Sequence, residues 1–396
     1  VAGPLHFNID HRLPGANART GTVTTPHGSF STPAFMPVGT KGTVKGLLPH
    51  VIASTGSEII LNNAYHLLLR PGDELVARRG GMHEFMGWTG PILTDSGGYQ
   101  AFSMSDVNRI DDDGVTFKSI IDGSAIHLGP ERAMEVQNNL GADIIMAFDD
   151  CPPSVDGVHG TGREDHARRL EEAVGRTTDW MARCVESHAR PDDQALFGII
   201  QGGTDLELRS RSLEEITRFD LPGYAIGGVA VGEEPGLIHS VVRAVAPQLP
   251  EDRPRYLMGV GYERDIVAAV EAGIDMFDCV LPTRNGRSAS AFTRSGRMNL
   301  RNARFREDDL PIEPGCPCLA CSGDQPLSGD RQRGFSRAYL RHLFQAEEML
   351  GPILVSVHNI QHFQSLMLDI RRAIRDDAWP SLFRDWPVLE DPAQKG

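Results

Sequence analysis

The sequence predicts an α/β fold: a (β/α)8 TIM barrel with an inserted metal-binding subdomain near its C-terminus. Three observations point there. Eight short apolar runs recur along the chain, each continuous rather than alternating, as in strands buried on both faces of a parallel sheet. Helical stretches fall between most of them, so strand and helix alternate over roughly 250 residues, the pattern of an eightfold barrel. Finally, three cysteines crowd into CPCLAC (316–321), which is metal-site usage and not a disulfide framework. An open doubly wound sheet is the rival arrangement for the same alternation.

Taken in order, residues 1–33 are polar and turn-rich. TVTTPHGSFSTP sets β-prone residues around a Pro-His-Gly turn and predicts a hairpin lid. The apolar runs follow at 34–38, 58–62, 91–95, 143–148, 196–200, 224–230, 255–260 and 274–278. The clearest helices between them are 164–188, 205–218, 235–247 and 263–272. Residues 114–130 predict a hairpin before the helix PERAMEVQNNLGA. After the eighth run the last barrel helix is expected only at 361–376. The predicted organisation is a barrel with its lid over 1–299, an inserted subdomain over 300–360 with a helix at 336–351, and a final helix and tail over 361–396. SGDQPLSGDRQRG (322–334) predicts a surface loop.

The composition, 40% hydrophobic and 23% charged, is that of a soluble globular chain. No run approaches 18 apolar residues, and VAGPLHFNIDHR lacks the apolar core of a signal peptide. A cytoplasmic protein without a membrane partner is expected. With 39 Lys+Arg against 53 Asp+Glu the net charge is −14, which argues against general nucleic-acid binding. Residues 274–306 depart from that background. Asp278 ends the eighth run, seven arginines follow between Arg284 and Arg306, and residues 279–306 contain no Asp or Glu. Such a strip predicts a local anionic partner.

In a barrel the chemistry sits where the strands end. The third run ends in Asp95, followed by Ser96-Gly97-Gly98-Tyr99. The fourth leads into Asp149-Asp150-Cys151, the fifth into Gln201, and the eighth ends in Asp278. Singly, each Asp is as well explained as a helix cap. Converging at one mouth, two carboxylates can divide nucleophilic and proton-transfer roles, the chemistry suited to an oxocarbenium-like glycosyl transfer. A third can accept from the N–H groups of a heterocyclic base. Gly pairs at 97–98, 202–203 and 227–228 permit close approach of a flat ligand. Tyr99 and Met258 are candidates to sandwich it, although core packing explains Met258 alone equally well.

Three thiolates within six residues call for a metal in a reducing compartment. The fourth ligand is not local; His342 and His358 are both candidates. A closed Cys3His site has no open position and is structural.

Together, TDSGGYQ (94–100), MAFDDC (146–151), QGG (201–203), YAIGGVAVGE (224–233), YLMGVG (256–261), FDCVLPTRNGR (277–287) and CPCLAC with VHN (357–359) resemble the queuine/archaeosine-type tRNA-guanine transglycosylases. The resemblance spans nearly the whole chain. It implies a barrel with a zinc subdomain, and exchange of guanine at the anticodon wobble position of tRNA for a 7-deazaguanine. It implies Asp278 as nucleophile and Asp95 as general acid/base. Asp149, Ser96, Gln201 and Gly228 would read the base, with Tyr99 and Met258 stacking on it. Arg284 and Arg287 would contact the anticodon loop, and Cys316, Cys318, Cys321 and His358 would hold Zn2+. Cys151 and AVGE (230–233) are similar to the bacterial form that uses preQ1, whose ammonium group Val229 and Glu233 would receive. The family resemblance also implies a homodimer. The gap from Cys321 to His358 is longer than is usual in the family, with the extra length in 322–334.

The expected chemistry is a covalent double displacement with retention. A non-catalytic RNA-binding subunit would be expected to lack the three acids. The basic strip and the metal insert argue against a carbohydrate hydrolase, and the H-x-E motif of zinc nucleobase deaminases is absent.

Overall fold

The computed structural model describes residues 3–104, 108–153, 163–230, 233–322 and 334–390. An antiparallel sheet comes first, formed by β1 (His6–Arg12), β2 (Arg19–Thr25) and β3 (Gly28–Thr32). The barrel strands β4 (Ala34–Gly39), β5 (Ile60–Asn63) and β6 (Ile92–Asp95) follow. A second antiparallel sheet, β7 (Asn108–Asp111), β8 (Gly114–Lys118) and β9 (Ala125–Leu128), interrupts them. Then β10 (Ile144–Met146), β11 (Ala195–Ile200), β12 (Gly223–Ile226), β13 (Arg255–Leu257) and β14 (Met276–Cys279) complete the barrel. Parallel pairing of β14 with β4, with Asp278 opposite Met36, closes it and rules out the open sheet. All eight expected runs are barrel strands.

The expected hairpin at 114–130 forms as β8 and β9, within a three-stranded sheet. Its extra strand, β7, leads into DDDG, where Asp111 Oδ1 accepts from Asp113 N and Gly114 N. The acidic run is therefore a tight turn made by its own side chain.

Strand residues alternate between lumen and helix layer. Ala34, Met36, Val38, Leu61, Leu93, Phe197, Ile199, Tyr256 and Met276 fill the lumen. Their neighbours Phe35, Ile60, Ile92, Leu196, Ile200, Leu257 and Phe277 pack outward against the helices. Val23 and Phe30 of the first sheet join the lumen cluster, so that sheet plugs the barrel at the strand N-termini.

Two buried acids bind the plug to the barrel. Asp275, just before β14, takes Arg19 Nε at 3.0 Å and Nη2 at 2.7 Å, and also Arg255 N at 2.8 Å. Asp143, just before β10, accepts from His27 N at 3.1 Å, His27 Nδ1 at 2.8 Å, His83 Nε2 at 3.1 Å and Ile92 N at 2.9 Å. Each carboxylate is buried with its acceptor sites occupied, as burial of charge requires.

After β14 come the helix Leu281–Arg287, the hairpin β15 (Ser290–Thr293) and β16 (Gly296–Asn299), and the cysteine cluster. The expected helix at 336–351 ends early, at Gln345, and Glu347 takes φ 57°. A single helix then runs Leu350–Arg375, so the expected boundary at 360/361 lies inside it. Gly351-Pro352 looks like a stop in sequence. Pro352 instead occupies the first turn of the new helix, where no backbone N–H is needed. The segment 323–333 of the expected surface loop lies outside the described residues.

Arg19→Met should destabilise the fold by about 3–5 kcal/mol, because it strands Asp275 as a buried charge. Urea unfolding of the variant against wild type measures this.

Candidate active site and metal centre

The strand alternation places the acids. Asp278 follows Met276 with the same lumen-facing parity, Asp95 follows Leu93, and Gln201 follows Ile199. All three stand at the strand C-termini, on the same mouth. Asp149 lies just beyond β10, and Gln201 Nε2 donates to its Oδ2 at 2.6 Å.

Asp95 is buried and fully engaged. Its Oδ1 accepts from Ala64 N at 2.8 Å, and its Oδ2 accepts from Asn63 Nδ2 and from Gln100 Nε2 at 2.9 Å. Burial pushes its pKa up to about 6; the bonds from Asn63 and Ala64 oppose this, and the negative charge of Asp278 adds to it. Asp149 is pushed up to about 7 by burial, against the Gln201 bond and with help from the charges of Asp150 and Asp95. Asp278 is also raised by burial, while bonds from Tyr256 and Gly259 hold it down. Tyr256 Oη donates to Asp278 Oδ1 at 2.5 Å, and Gly259 N donates to the same oxygen at 2.8 Å. Oδ2 is left without a hydrogen-bond partner among the described residues. The site therefore holds one carboxylate with a free oxygen and two whose protonation changes near neutrality.

Asp150 is different. Arg169 and Arg176 clamp it at 2.8 and 2.6 Å, fixing the helix Arg163–Ser187 to the barrel.

Gly228, Val229 and Met258 line the same mouth. Gly228 has φ 61°, and a Cβ there would run into Gln201 Oε1, so only glycine fits. Met258 packs against the lumen cluster, whereas Tyr99 is 43% exposed on the helix Gly98–Met104 and free to meet a ligand. Glu233 accepts from Ala230 N. Ser96 is buried between Asp95 and the start of that helix, its Oγ 3.4 Å from Gly98 N. Burial pushes the Cys151 thiol up to about 12, so it sits there as a neutral group.

Several contributing residues escaped the sequence reading. Asn63 has the lumen parity of Leu61, a signal that was present in the sequence. Tyr256 has the parity of Met258. Arg209 gave no such signal. Its buried guanidinium donates to Gly203 O at 2.8 Å, Ile200 O at 2.7 Å and Gly228 O at 3.1 Å, tying together the loops that carry Gln201 and Gly228. Burial pulls its pKa down to about 10.

Arg284 and Arg287 are exposed on the helix Leu281–Arg287, which begins just beyond β14. Lys41 and Lys45 stand beside Arg287. Lys45 is lowered by burial and then by the charges of Arg287 and Lys41, so the three cations share one face. Further along the strip Arg297, Arg301, Arg304 and Arg306 are also exposed and Arg294 is half-buried, several of them resting on partners of the insertion and the barrel rim. Arg294 pairs with Asp369 at 2.9 Å and covers Trp386, Arg297 lies over Tyr262, Arg301 donates to Phe344 O, and Arg304 lies over Phe305.

Cys316, Cys318, Cys321 and His358 converge, with His358 Nδ1 at 3.6, 3.7 and 3.3 Å from the three sulfurs. Those spacings match the roughly 3.5 Å S···N edge of a tetrahedron built from ordinary metal–thiolate and metal–imidazole bonds. His358 Nε2 donates to Phe292 O at 2.7 Å, which orients Nδ1 toward the sulfurs. Burial pulls His358 down, yet Cys316 and Cys321 overcome this and raise it to about 10, so the cluster favours a positive charge at its centre. His342 lies on another helix and is not part of the cluster.

The sequence matches the family model for queuine tRNA-ribosyltransferase over residues 15–388. It is 51% identical over 382 residues to a queuine tRNA-ribosyltransferase of Synechococcus sp. (strain CC9311), covering 96% of this chain and 97% of the relative. A relative of the same name from Thermus thermophilus is 51% identical over 383 residues, covering 97% and 94%. Another from Symbiobacterium thermophilum is 52% identical over 370 residues, covering 93% and 88%.

Asp149→Asn should stabilise the protein above pH 7 and leave it unchanged below pH 4. The wild-type folded pKa is raised, so between those limits the unfolded chain ionises while the folded one stays protonated, and wild-type stability falls as pH rises. The gain at pH 8 should be on the order of a few kcal/mol. Urea midpoints at pH 4 and pH 8 check it.

Proposed function

The chain belongs to the queuine tRNA-ribosyltransferase family, and from that premise we propose a mechanism for its mouth residues. The protein is a pentosyltransferase, a tRNA-guanine transglycosylase of queuosine biosynthesis. The observation that carries the residue assignment is the asymmetry of Asp278: Tyr256 and Gly259 occupy one oxygen and leave the other for attack.

In the proposed reaction, the target guanosine of the tRNA anticodon loop is flipped into the mouth. Asp278 Oδ2 attacks ribose C1′. The C1′–N9 bond breaks, its electrons pass to guanine N9, and the protonated carboxyl of Asp95 supplies the proton. A glycosyl-enzyme ester and free guanine result. PreQ1 then replaces guanine, its N9 attacks C1′, and its proton passes to the Asp95 carboxylate. The ester bond breaks and Asp278 regains its charge. Two inversions give retention. A pKa of about 6 suits Asp95 to both donating and accepting a proton near neutrality.

Asp149 with Gln201, Ser96 and the Gly228 backbone are assigned to the base edge, and Tyr99 and Met258 to its faces. Val229 and Glu233 are assigned to the aminomethyl group and Cys151 to the pocket wall. Arg284 and Arg287 are assigned to the RNA backbone, supported by the exposure of both and by Lys41 and Lys45 beside Arg287. The metal of the Cys3His cluster is proposed to be structural Zn2+, one per chain. When bound it cross-links the cysteine segment to the helix Leu350–Arg375, and with four protein ligands it leaves no position for substrate.

A cytoplasmic homodimer is proposed; no described helix is long and apolar enough to cross a membrane. Support for the dimer is an apolar face where Leu48 and Met349 are 60% and 80% exposed. There Gly46 approaches Ile353, joining the loop after β4 to the helix Leu350–Arg375.

Asp278→Asn should abolish exchange of radiolabelled guanine into tRNA and the covalent RNA adduct seen on denaturing gels; normal exchange by the variant overturns the nucleophile assignment. Tyr256→Phe should lower kcat roughly 10- to 100-fold, the loss expected for one hydrogen bond to a charged group. Competition among preQ1, preQ0 and queuine tests the incoming base. Atomic emission should find one zinc per chain in wild type and none in Cys318→Ser.

A further inference from the structure

We propose that Asn359, the residue after the metal-ligating histidine, is a positioning residue that sets the RNA-binding helix Leu281–Arg287 against the barrel mouth. The inference rests on the assignment of Arg284 and Arg287 to RNA contact.

Asn359 is fully buried and uses every polar atom of its amide. Nδ2 donates to Pro282 O at 3.0 Å, in the first turn of the arginine-bearing helix, and to Ser290 O at 3.0 Å, just beyond its end. Oδ1 accepts from Phe292 N at 3.0 Å. The neighbouring His358 takes Phe292 O. Two consecutive residues therefore hold both backbone polar groups of Phe292, one of them from the metal cluster. Asn359 alone reaches across to the arginine helix.

A second contact fixes the same docking. A Cβ on Gly286 would lie 2.5 Å from Ser356 Oγ and 2.8 Å from Ser356 N, so the two helices meet backbone to backbone at this point. Gly286 lies between the two arginines, and Ser356 is one turn before Ile360 on the long helix. The bonds of Asp278 to Tyr256 and Gly259 run within the barrel and do not involve the arginine helix. Moving that helix should therefore weaken tRNA capture while leaving the nucleophile in place.

The test is steady-state exchange of labelled guanine into tRNA by the full-length, zinc-loaded protein, with metal content and melting temperature measured on each sample. Asn359→Ala should raise KM for tRNA tenfold or more, leave KM for guanine within twofold, change kcat less than threefold and keep one zinc per chain. Asn359→Asp keeps the acceptor for Phe292 N but loses both donated bonds, so it should show the same rise. Gly286→Ala, which touches no metal ligand, should also raise KM for tRNA and serves if the Asn359 variants fail to fold. An unchanged KM for tRNA in whichever of these variants fold overturns the assignment, as does a rise that appears only with loss of zinc. Wild type that exchanges no guanine overturns the underlying function instead.

Discussion

Closure of the parallel barrel is the constraint from which the site follows. Once β14 pairs with β4, every strand has two neighbours, and its side chains divide strictly between lumen and helix layer. Met276 and Phe277 show the division: the first fills the lumen, the second packs outward. Asp278 inherits the lumen side, as Asp95 does after Leu93. Apolar lumen residues close the barrel below, so these acids find solvent only at the mouth. The Arg19–Asp275 and His27–Asp143 contacts secure the opposite end, where the first sheet seals the lumen.

Burying three carboxylates in one mouth raises all their pKa values, and the surroundings then distinguish them. Asp95 has both oxygens occupied by amide and backbone donors, which limits its rise. Asp149 has one amide donor and a charged neighbour in Asp150, and rises further. Asp278 has one oxygen held and one open. Three residues of the same type thereby acquire different chemistry from their hydrogen-bond partners.

The insertion is bound to this mouth by the helix Leu350–Arg375. Along it, Ser356 meets the arginine helix, His358 faces the cysteines, Asn359 bonds the arginine helix and β15, and His362 Nε2 pairs with Glu263 Oε1 at 2.7 Å. Glu263 begins the helix that follows β13 and the Met258-Gly259 turn. The metal cluster is thus joined to the active mouth by one rigid element. Arg294, Arg297, Arg301 and Arg304 of the basic strip also touch aromatic and acidic groups, the last three while remaining exposed.

Eight continuous apolar runs determined a buried parallel sheet by themselves, because a strand buried on both faces has no other composition open to it; that the sheet closes was decided by the pairing of β14 with β4. Their terminal acids and the three cysteines were equally legible, since such residues at such places need a chemical reason. Boundaries inside the insertion were not. Glu347 and Pro352 behave against their usual signals, and only packing decided where one helix ended and the next began. Nor did sequence disclose Arg209, whose three acceptors are backbone carbonyls and carry no side-chain signature. Local pattern determined which residues face the lumen. Tertiary structure decided which of Asp278's oxygens is free, how far each buried acid is raised, and what each arginine of the strip rests on, because each depends on partners far away along the chain.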